Sequence, residues 1–586
     1  MSDSLCAHFQ AQVTKGGNRP AINRADGTTA YTWSQYGAGV RKVAAGLAAL
    51  GVRRGDVVAL MLTNRPEFHL VDAAAMHLGA LTVSVYNTNA VPQIAYLFSN
   101  AEPVVVVSES QFLAKVCEAA KGSTVRQVVS VDQAVDGVLT LDDVMTCGSA
   151  DFDFDASWQA VRRDDVLTLI YTSGTTGNPK GVELTHGNLL SQLEVITDLV
   201  GGLPSGRVLS YLPDAHLINR WIGQYAPMYF GITVTDVPDP KTLIDVLGRV
   251  HPTFFVAVPM LWYKIRARVE AIVAEEPGPK GELARWALSV GKRKAAAIVA
   301  GRRLGPVDSL AAELADRLVL SRIRSRLGLD RLAAAVSGAA PIDVSVIEFM
   351  LAIGVSVQEA WGMSETSAVT TVNARRAPRY GTVGTAIPGT EVVLADDGEI
   401  LVRGAGVMRC YHNDPERTAE ILDSDGWIHT GDIGTMDRDG YLRIIDRKKE
   451  LIINTGGKNM SPSNIEGALK AACPLIGVAV AIGDKRPHIS ALITLDPDAV
   501  AELARTQGLA DAAVENIVDD PAVQDAVRDG IAAANAKLSR VEQIRTWKVL
   551  PQYWIPGGDE LTPTLKLRRA PIASKYADQI DALYQR

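Results

Sequence analysis

Eleven consecutive positions, Tyr171-Thr-Ser-Gly-Thr-Thr-Gly-Asn-Pro-Lys180-Gly181, hold three glycines, four serine or threonine hydroxyls and one lysine. Such a stretch suits a polyphosphate: glycines let the backbone approach the oxygens, and hydroxyl and N–H groups donate to them. Thr172, Ser173, Gly174, Thr175, Thr176 and Gly177 are the candidate phosphate contacts, and Lys180 adds a positive charge. The spacing is not that of a P-loop, whose lysine follows a glycine and opens directly into a helix. Here Lys180 stands between a proline and a glycine, and Val182-Glu-Leu-Thr185 behind it reads as a short strand. A plain surface turn is the alternative, because Gly, Ser and Thr also cluster in loops.

Further along, Glu359-Ala360-Trp361-Gly362-Met-Ser-Glu365-Thr366 sets a flat indole face, fit to stack on a purine, near a carboxylate. Glu365 is a hard oxygen ligand of the kind Mg²⁺ takes. The same segment also reads as a core tryptophan beside a helix cap. Asp432, ending Trp427-Ile-His-Thr-Gly-Asp, can accept from both hydroxyls of a ribose, as acidic residues do in dinucleotide folds, or simply form a turn. Ser337-Gly338-Ala339-Ala-Pro341 follows an apolar run and is the type of small-residue turn at which open α/β sheets take ligands. His216, in Leu212-Pro-Asp-Ala-His, stands alone near an apolar segment and reads first as a structural residue. Trp221, Tyr225, Tyr229 and Phe230 would line an apolar tunnel or the core, and core is the expectation.

Positioning these residues requires a rigid frame, and the sequence supplies one. Val40, Val43, Ala44, Leu47 and Leu50 recur at helical spacing before Gly51, Val57–Leu62 is an apolar strand, and 67–78 is a helix. Strands at 103–107 and 127–131 bracket a helix near 111–120. Such alternation predicts an α/β fold with mostly parallel sheets covered by helices. The Asp-rich stretch 151–165 reads as a linker. Residues 264–330 read as two or three amphipathic helices, locally basic at Lys292-Arg-Lys294 and Arg302-Arg303. A solvated face is expected there, with contact to a membrane surface as the alternative. The charged cluster Asp446-Arg-Lys-Lys-Glu450 marks a boundary between a large domain, 1–446, and a small α+β domain, 451–586, joined through 447–450.

Composition narrows the classes. At 586 residues the chain exceeds a single core. A net charge of −7 leaves no strong nucleic-acid footprint. Five scattered cysteines, without a C-x-x-C, argue against a disulfide or zinc framework and for a reducing compartment. With no basic-apolar leader and no long uncharged apolar run, a cytoplasmic location is expected.

The eleven-residue string resembles the signature loop of the adenylate-forming superfamily, which includes acyl-CoA synthetases, peptide-synthetase adenylation domains and beetle luciferases. Its motifs recur in order over about residues 30–575. The resemblance implies ATP, Mg²⁺ and coenzyme A as cofactor and co-substrates, with the loop around the β- and γ-phosphates. It assigns Gly338, Ala339 and the Glu359–Gly362 segment to the adenine pocket, and Glu365 with Thr172 to Mg²⁺. Asp432 and Arg447 become ribose contacts, Lys449 the hinge of a mobile small domain, and Gly456 and Gly457 a border of the coenzyme A channel. His216 would sit beside the acyl carboxylate, with Trp221 near the acyl chain. Trp361 stands where the family usually has tyrosine. Glu560-Leu-Thr-Pro-Thr-Leu-Lys566 has the form typical of long-chain acyl-CoA synthetases and makes Lys566 the adenylation lysine. The helical insertion resembles the same branch. The expected reaction joins a long-chain fatty acid to coenzyme A through acyl-AMP. The competing readings are a ligase that loads a carrier protein's phosphopantetheine, a luciferase-like mono-oxygenase, a non-catalytic relative and an ADP-forming phosphotransferase.

Overall fold

A computed structural model describes residues 4–172, 178–200, 206–375, 377–453, 459–507, 513–562 and 565–585. The large N-terminal domain is built on four sheets. Seven strands make the first, in the spatial order Leu139–Thr140, Gln127–Ser130, Pro103–Ser108, Val57–Met61, Leu81–Ser84, Val166–Thr172 and Lys180–Thr185. All its neighbours are parallel except the last pair, a hairpin in which Thr172 faces Lys180. Its central strand Val57–Met61 is buried at every position, as a parallel strand covered on both faces must be. Val58, Ala59, Leu60 and Met61 have no exposed surface, so Leu60→Ala there costs about 2–5 kcal/mol.

A second sheet carries parallel strands Phe254–Ala257, Ala334–Ser337 and Val357–Trp361, followed by two antiparallel ones. A third joins Arg207–Ser210 and Thr233–Asp236 to the N-terminal hairpin 20–32. The fourth is an antiparallel meander ending in Ile428–Met436 and Leu442–Arg447. The separate C-terminal domain folds a three-stranded sheet, Ile476–Ile482, Ile489–Leu495 and Ile544–Leu550, against helix Pro462–Ala472 and helix Pro521–Asn535, with its own apolar core. The chain is thus the α/β protein of two unequal domains that its apolar strands imply.

One local expectation changes. Residues 151–165 are not a plain linker: Asp153 caps a helix, Phe154–Gln159, by accepting from the Ala156 N–H. Phe154 is buried, stacked on His77 with centroids 5.2 Å apart and covered by the Arg41 guanidinium at 4.3 Å. Acidic neighbours hid this apolar anchor in the pattern. The helical insertion has the expected three helical runs, Pro259–Glu275, Gly278–Val299 and a third made of Pro306–Ala315, a π-turn Asp316–Leu320 and Ser321–Arg326. Helix Gly278–Val299 packs along Val344–Ala352, and a Cβ at Gly291 would lie 2.3 Å from the Ala352 carbonyl.

Candidate active site

The parallel strands deliver their chemistry at their C-terminal ends, where open α/β sheets place ligands. Thr172 ends one strand, Ser337 a second and Trp361 a third, while Arg207–Ser210 leads into the segment holding His216. Gly362 follows Trp361 because the chain passes so close to itself that a Cβ would fall 2.2 Å from the Ala368 carbonyl. Gly338 faces the same place, its Cβ position 3.3 Å from the Ala360 carbonyl, and Ala339 takes a left-handed φ of 70°. Glu359 is buried on this wall and accepts from the Gly381 N–H at 3.2 Å. Burial raises its carboxyl pKa to about 7, against the pull of that N–H and Arg443.

Glu365 lies in a short 3₁₀ turn, Ser364–Thr366, and is buried. Its Oε1 accepts from the Tyr411 hydroxyl at 2.8 Å. Lys180 Nζ stands 4.7 Å above the same tyrosine ring, so Tyr411 ties the lysine of the phosphate hairpin to the carboxylate. Burial, and then Glu365, drive the Tyr411 pKa up, which keeps the phenol a donor. Tyr411 reaches this position because the segment around it bridges to Val182 and His412 donates its N–H to the Gly181 carbonyl at 2.7 Å. Sequence reasoning missed this tyrosine. Among the described residues no group of three or more His, Cys, Asp or Glu side chains could hold a metal. A single carboxylate such as Glu365 and a hydroxyl such as that of Thr172 are nonetheless oxygen donors of the kind Mg²⁺ takes, since it is usually held by one or two carboxylates plus substrate phosphates.

Asp432 and Arg447 face each other across neighbouring strands and form an ion pair, with Arg447 Nε 2.7 Å from Asp432 Oδ1. Trp361 Nε1 donates to Asp432 Oδ2 at 2.9 Å. The indole is therefore anchored edge-on by the carboxylate. Burial raises the Asp432 pKa, opposed by Arg447 and Trp361. Lys449 is exposed in the turn that follows, where Glu450 donates its N–H back to the Arg447 carbonyl.

Lys566 enters this cleft from the other domain. Leu561 bridges to Leu567, Thr562 N–H donates to the Lys566 carbonyl at 2.8 Å, and Lys566 N–H donates to Thr562 Oγ1 at 3.0 Å. Leu561 is buried in a C-terminal cluster that anchors the turn. The lysine side chain keeps accessible surface, and its charge is felt by Asp432 and Glu365 of the large domain. Displaced water lowers its pKa first, then Arg447, while Asp432, Glu365 and Glu450 pull it back up. His216 feels its charge: burial, then Lys566, lower the imidazole pKa to about 4. Its Nδ1 accepts from the Ile218 N–H at 3.2 Å, which leaves Nε2 to carry the proton.

The structure thus brings Thr172, Lys180, Gly338, Ala339, Glu359, Ala360, Trp361, Gly362, Glu365, Asp432, Arg447, Lys566 and His216 to one region. Trp221 is instead wholly packed, its ring 6.3 Å from Phe254 within the main core. Ser173, Gly174, Thr175, Thr176, Gly177, Gly456 and Gly457 lie outside the described residues.

A glycine- and hydroxyl-rich hairpin, an aromatic-lined turn and a lysine brought in by a small second domain define an adenylate-forming enzyme. The AMP-binding enzyme family matches residues 9–412, and the AMP-binding enzyme C-terminal domain matches 449–586. The chain belongs to the AMP-binding enzyme family. It is 49% identical over 452 residues to a putative fatty-acid–CoA ligase, fadD11, of Mycobacterium tuberculosis, covering 76% of this chain and 79% of the relative. It is 36% identical to the long-chain-fatty-acid–CoA ligase FadD15 of Mycobacterium bovis, over 93% and 91% of the two chains. A third relative, the long-chain-fatty-acid–CoA ligase ACSBG2 of Xenopus laevis, is 33% identical over 98% and 83%. Among solved structures, the anthranilate CoA ligase AuaEII with anthranoyl-AMP superimposes with a TM-score of 0.75, at 20% identity over 99% and 98%. At that identity the likeness speaks for the fold alone.

Proposed function

We propose that the protein activates a long-chain fatty acid with ATP and passes the acyl group to coenzyme A. The observation that carries this reading is Lys566, held by the small domain with its charge acting on His216 and drawn by Asp432 and Glu365 of the large one, beside the Trp361–Asp432–Arg447 and Lys180–Tyr411–Glu365 links. In the first step a carboxylate oxygen attacks the α-phosphorus, and the α–β bridging P–O bond breaks with its electrons leaving on pyrophosphate. Both reactants are anionic, so the residues act mainly by stabilising charge. Lys180 and the hairpin donors would hold the β- and γ-phosphates, Asp432 and Arg447 the ribose, and Trp361 with the Gly338–Ala339 turn the adenine. Lys566 would meet the charge that develops between carboxylate and α-phosphate. The neutral His216, with its proton on Nε2, would donate to the acyl carboxylate without adding a competing cation. Mg²⁺, when bound through Glu365 and Thr172, supplies charge neutralisation on the leaving pyrophosphate.

In the second step the coenzyme A thiol attacks the acyl-AMP carbonyl carbon, the thiol loses its proton, and AMP departs with the C–O bonding pair. Rotation of the small domain about Lys449 would withdraw Lys566 and bring the 454–458 segment, with Gly456 and Gly457, to the channel. Trp221, in the core beside this region, would bound the acyl site from behind. A cytoplasmic location belongs to the same reading. The test is incubation with ATP, palmitate and coenzyme A, with separation of products. AMP, pyrophosphate and palmitoyl-CoA are expected in equal amounts. ADP, or acyl transfer only to a phosphopantetheine carrier, would overturn it.

A further inference from the structure

The helical insertion concentrates apolar surface on the outside of the molecule. Sixteen large apolar side chains are exposed among the described residues, and eight of them fall between 272 and 318. Four lie on one continuous helical run: Val307, Leu310 and Leu314 on helix Pro306–Ala315, and Leu318 on the π-turn that extends it. Steps of three, four and four residues place them on a single stripe. Val307 is 82% exposed, Leu310 70% and Leu314 47%. The other side of this helix is already occupied, because Ala312 and Ala315 pack with Ala287 and Val290 of the preceding helix. A helix apolar on two sides has a use for a second apolar neighbour, and isolated soluble proteins seldom leave such a face bare.

Charge identifies the neighbour. Residues 292–326 contain nine basic and three acidic residues, within a chain whose net charge is −7. Two of the three acids are engaged inside the insertion: Asp316 with Arg324, and Asp308 at 3.9 Å from Arg293. Arg302 and Arg303, at the start of the stripe, and Arg317, near its end, form no ion pair among the described residues. We propose that this outward face of the insertion docks on an anionic lipid bilayer, with Val307, Leu310, Leu314 and Leu318 entering the interface and Arg302, Arg303 and Arg317 meeting lipid phosphates. A second copy of the chain is a poor occupant: a two-fold contact of this face with itself would oppose two positive patches. No described helix is long and apolar enough to cross a membrane, so the contact lies along the surface. Long-chain fatty acids partition into bilayers, so under the proposed reaction the docked enzyme would stand where its substrate is stored.

Vesicle flotation with the full-length protein tests the docking without reference to activity. The wild type is expected to float with vesicles of phosphatidylcholine and phosphatidylglycerol, and much less with phosphatidylcholine alone. Val307→Ser, Leu310→Gln and Leu314→Gln together should lower binding by about tenfold or more, while leaving the thermal unfolding profile and octanoate-dependent pyrophosphate release intact. Arg302→Glu with Arg303→Glu should also release the protein and remove the salt dependence of what binding remains. Equal flotation of wild type and triple variant would overturn the proposal. So would failure of the wild type to float, or conversion of a dimer to a monomer by the triple variant, which would assign the face to a second copy.

Discussion

Asp432 accepts from Trp361 with one oxygen and pairs with the Arg447 guanidinium through the other, so its loss releases both. Asp432→Ala removes a charged hydrogen-bond acceptor worth about 1.5–3 kcal/mol. The KM for ATP should therefore rise about 10–100-fold in steady-state pyrophosphate release, with KM for the fatty acid little changed. An unmoved ATP KM would shift ribose recognition elsewhere. Glu365→Gln keeps an acceptor for the Tyr411 hydroxyl, so the fold should survive, but it removes the charge that would bind Mg²⁺. Pyrophosphate release should drop by about a hundredfold or more at ordinary Mg²⁺, and normal release by a folded variant refutes the metal role. Motif residues were legible here because hydroxyl, glycine and carboxylate types announce their chemistry at short range. Tyr411 was not, since its link to Glu365 spans 46 residues and exists only once its segment crosses beside the Gly181–Glu183 strand.

Elements made of apolar runs were the most readable. The strands at 57–61 and 103–108 and the helix at 66–77 appear almost where periodicity places them, because burial on both faces leaves continuous hydrophobic sequence. The helix at 154–159 was hidden because one buried phenylalanine among acids gives no period. Hydrogen-bond roles add a pH dependence that no pattern foretells. Helix Leu5–Gly16 is tied down by two neutral histidines: His186 Nδ1 accepts from Leu5 N–H, and His77, donating Nδ1–H to the Ala73 carbonyl, accepts from Gln10 at Nε2. Burial lowers their pKa values to about 3 and about 4. Below about pH 6.5 the unfolded chain binds protons that the folded one refuses, so stability must fall as pH falls. The window runs from about 6.5 down to about 4 for His77 and about 3 for His186, with a slope of at most roughly 1.4 kcal/mol per pH unit for each histidine. Denaturant unfolding at a series of pH values should show this slope, reduced in His77→Gln. Hydrogen exchange should place the first loss of protection in residues 5–16. A flat profile would mean that neither histidine is held neutral.

At the scale of the whole molecule, the question is whether the two domains are fixed in the pose seen here. Two cations tie helix Pro259–Glu275 and the C-terminal domain together: Lys264 with Asp498 at 2.8 Å and Asp496 at 3.6 Å, and Arg505 with Glu275 at 2.8 Å. Both are exposed, so each is worth roughly 0–1 kcal/mol and together they bias the pose without locking it. The connection itself is better anchored on its flanks than at its centre. Asp446 accepts from Ser461 and Ser463 at the start of the small domain's first helix, and Arg569 is clamped by Glu450 and Glu466. Between these anchors Lys449 is exposed, which suits a pivot. If the domains take two working orientations, Lys566 reaches the α-phosphate in only one. Lys566→Ala should then slow acyl-AMP formation by about 10²–10³-fold, the usual effect of removing a preorganised charge. Thioester formation from acyl-AMP supplied ready-made should be spared. Lys449→Pro should give the reverse pattern, because its fixed φ hinders the rotation that the thioester step requires. Single-turnover assays of each half-reaction with both variants decide the matter. Equal damage to both steps by Lys566→Ala would mean that one static cleft performs the whole reaction, and that this lysine has no part in switching between two domain orientations.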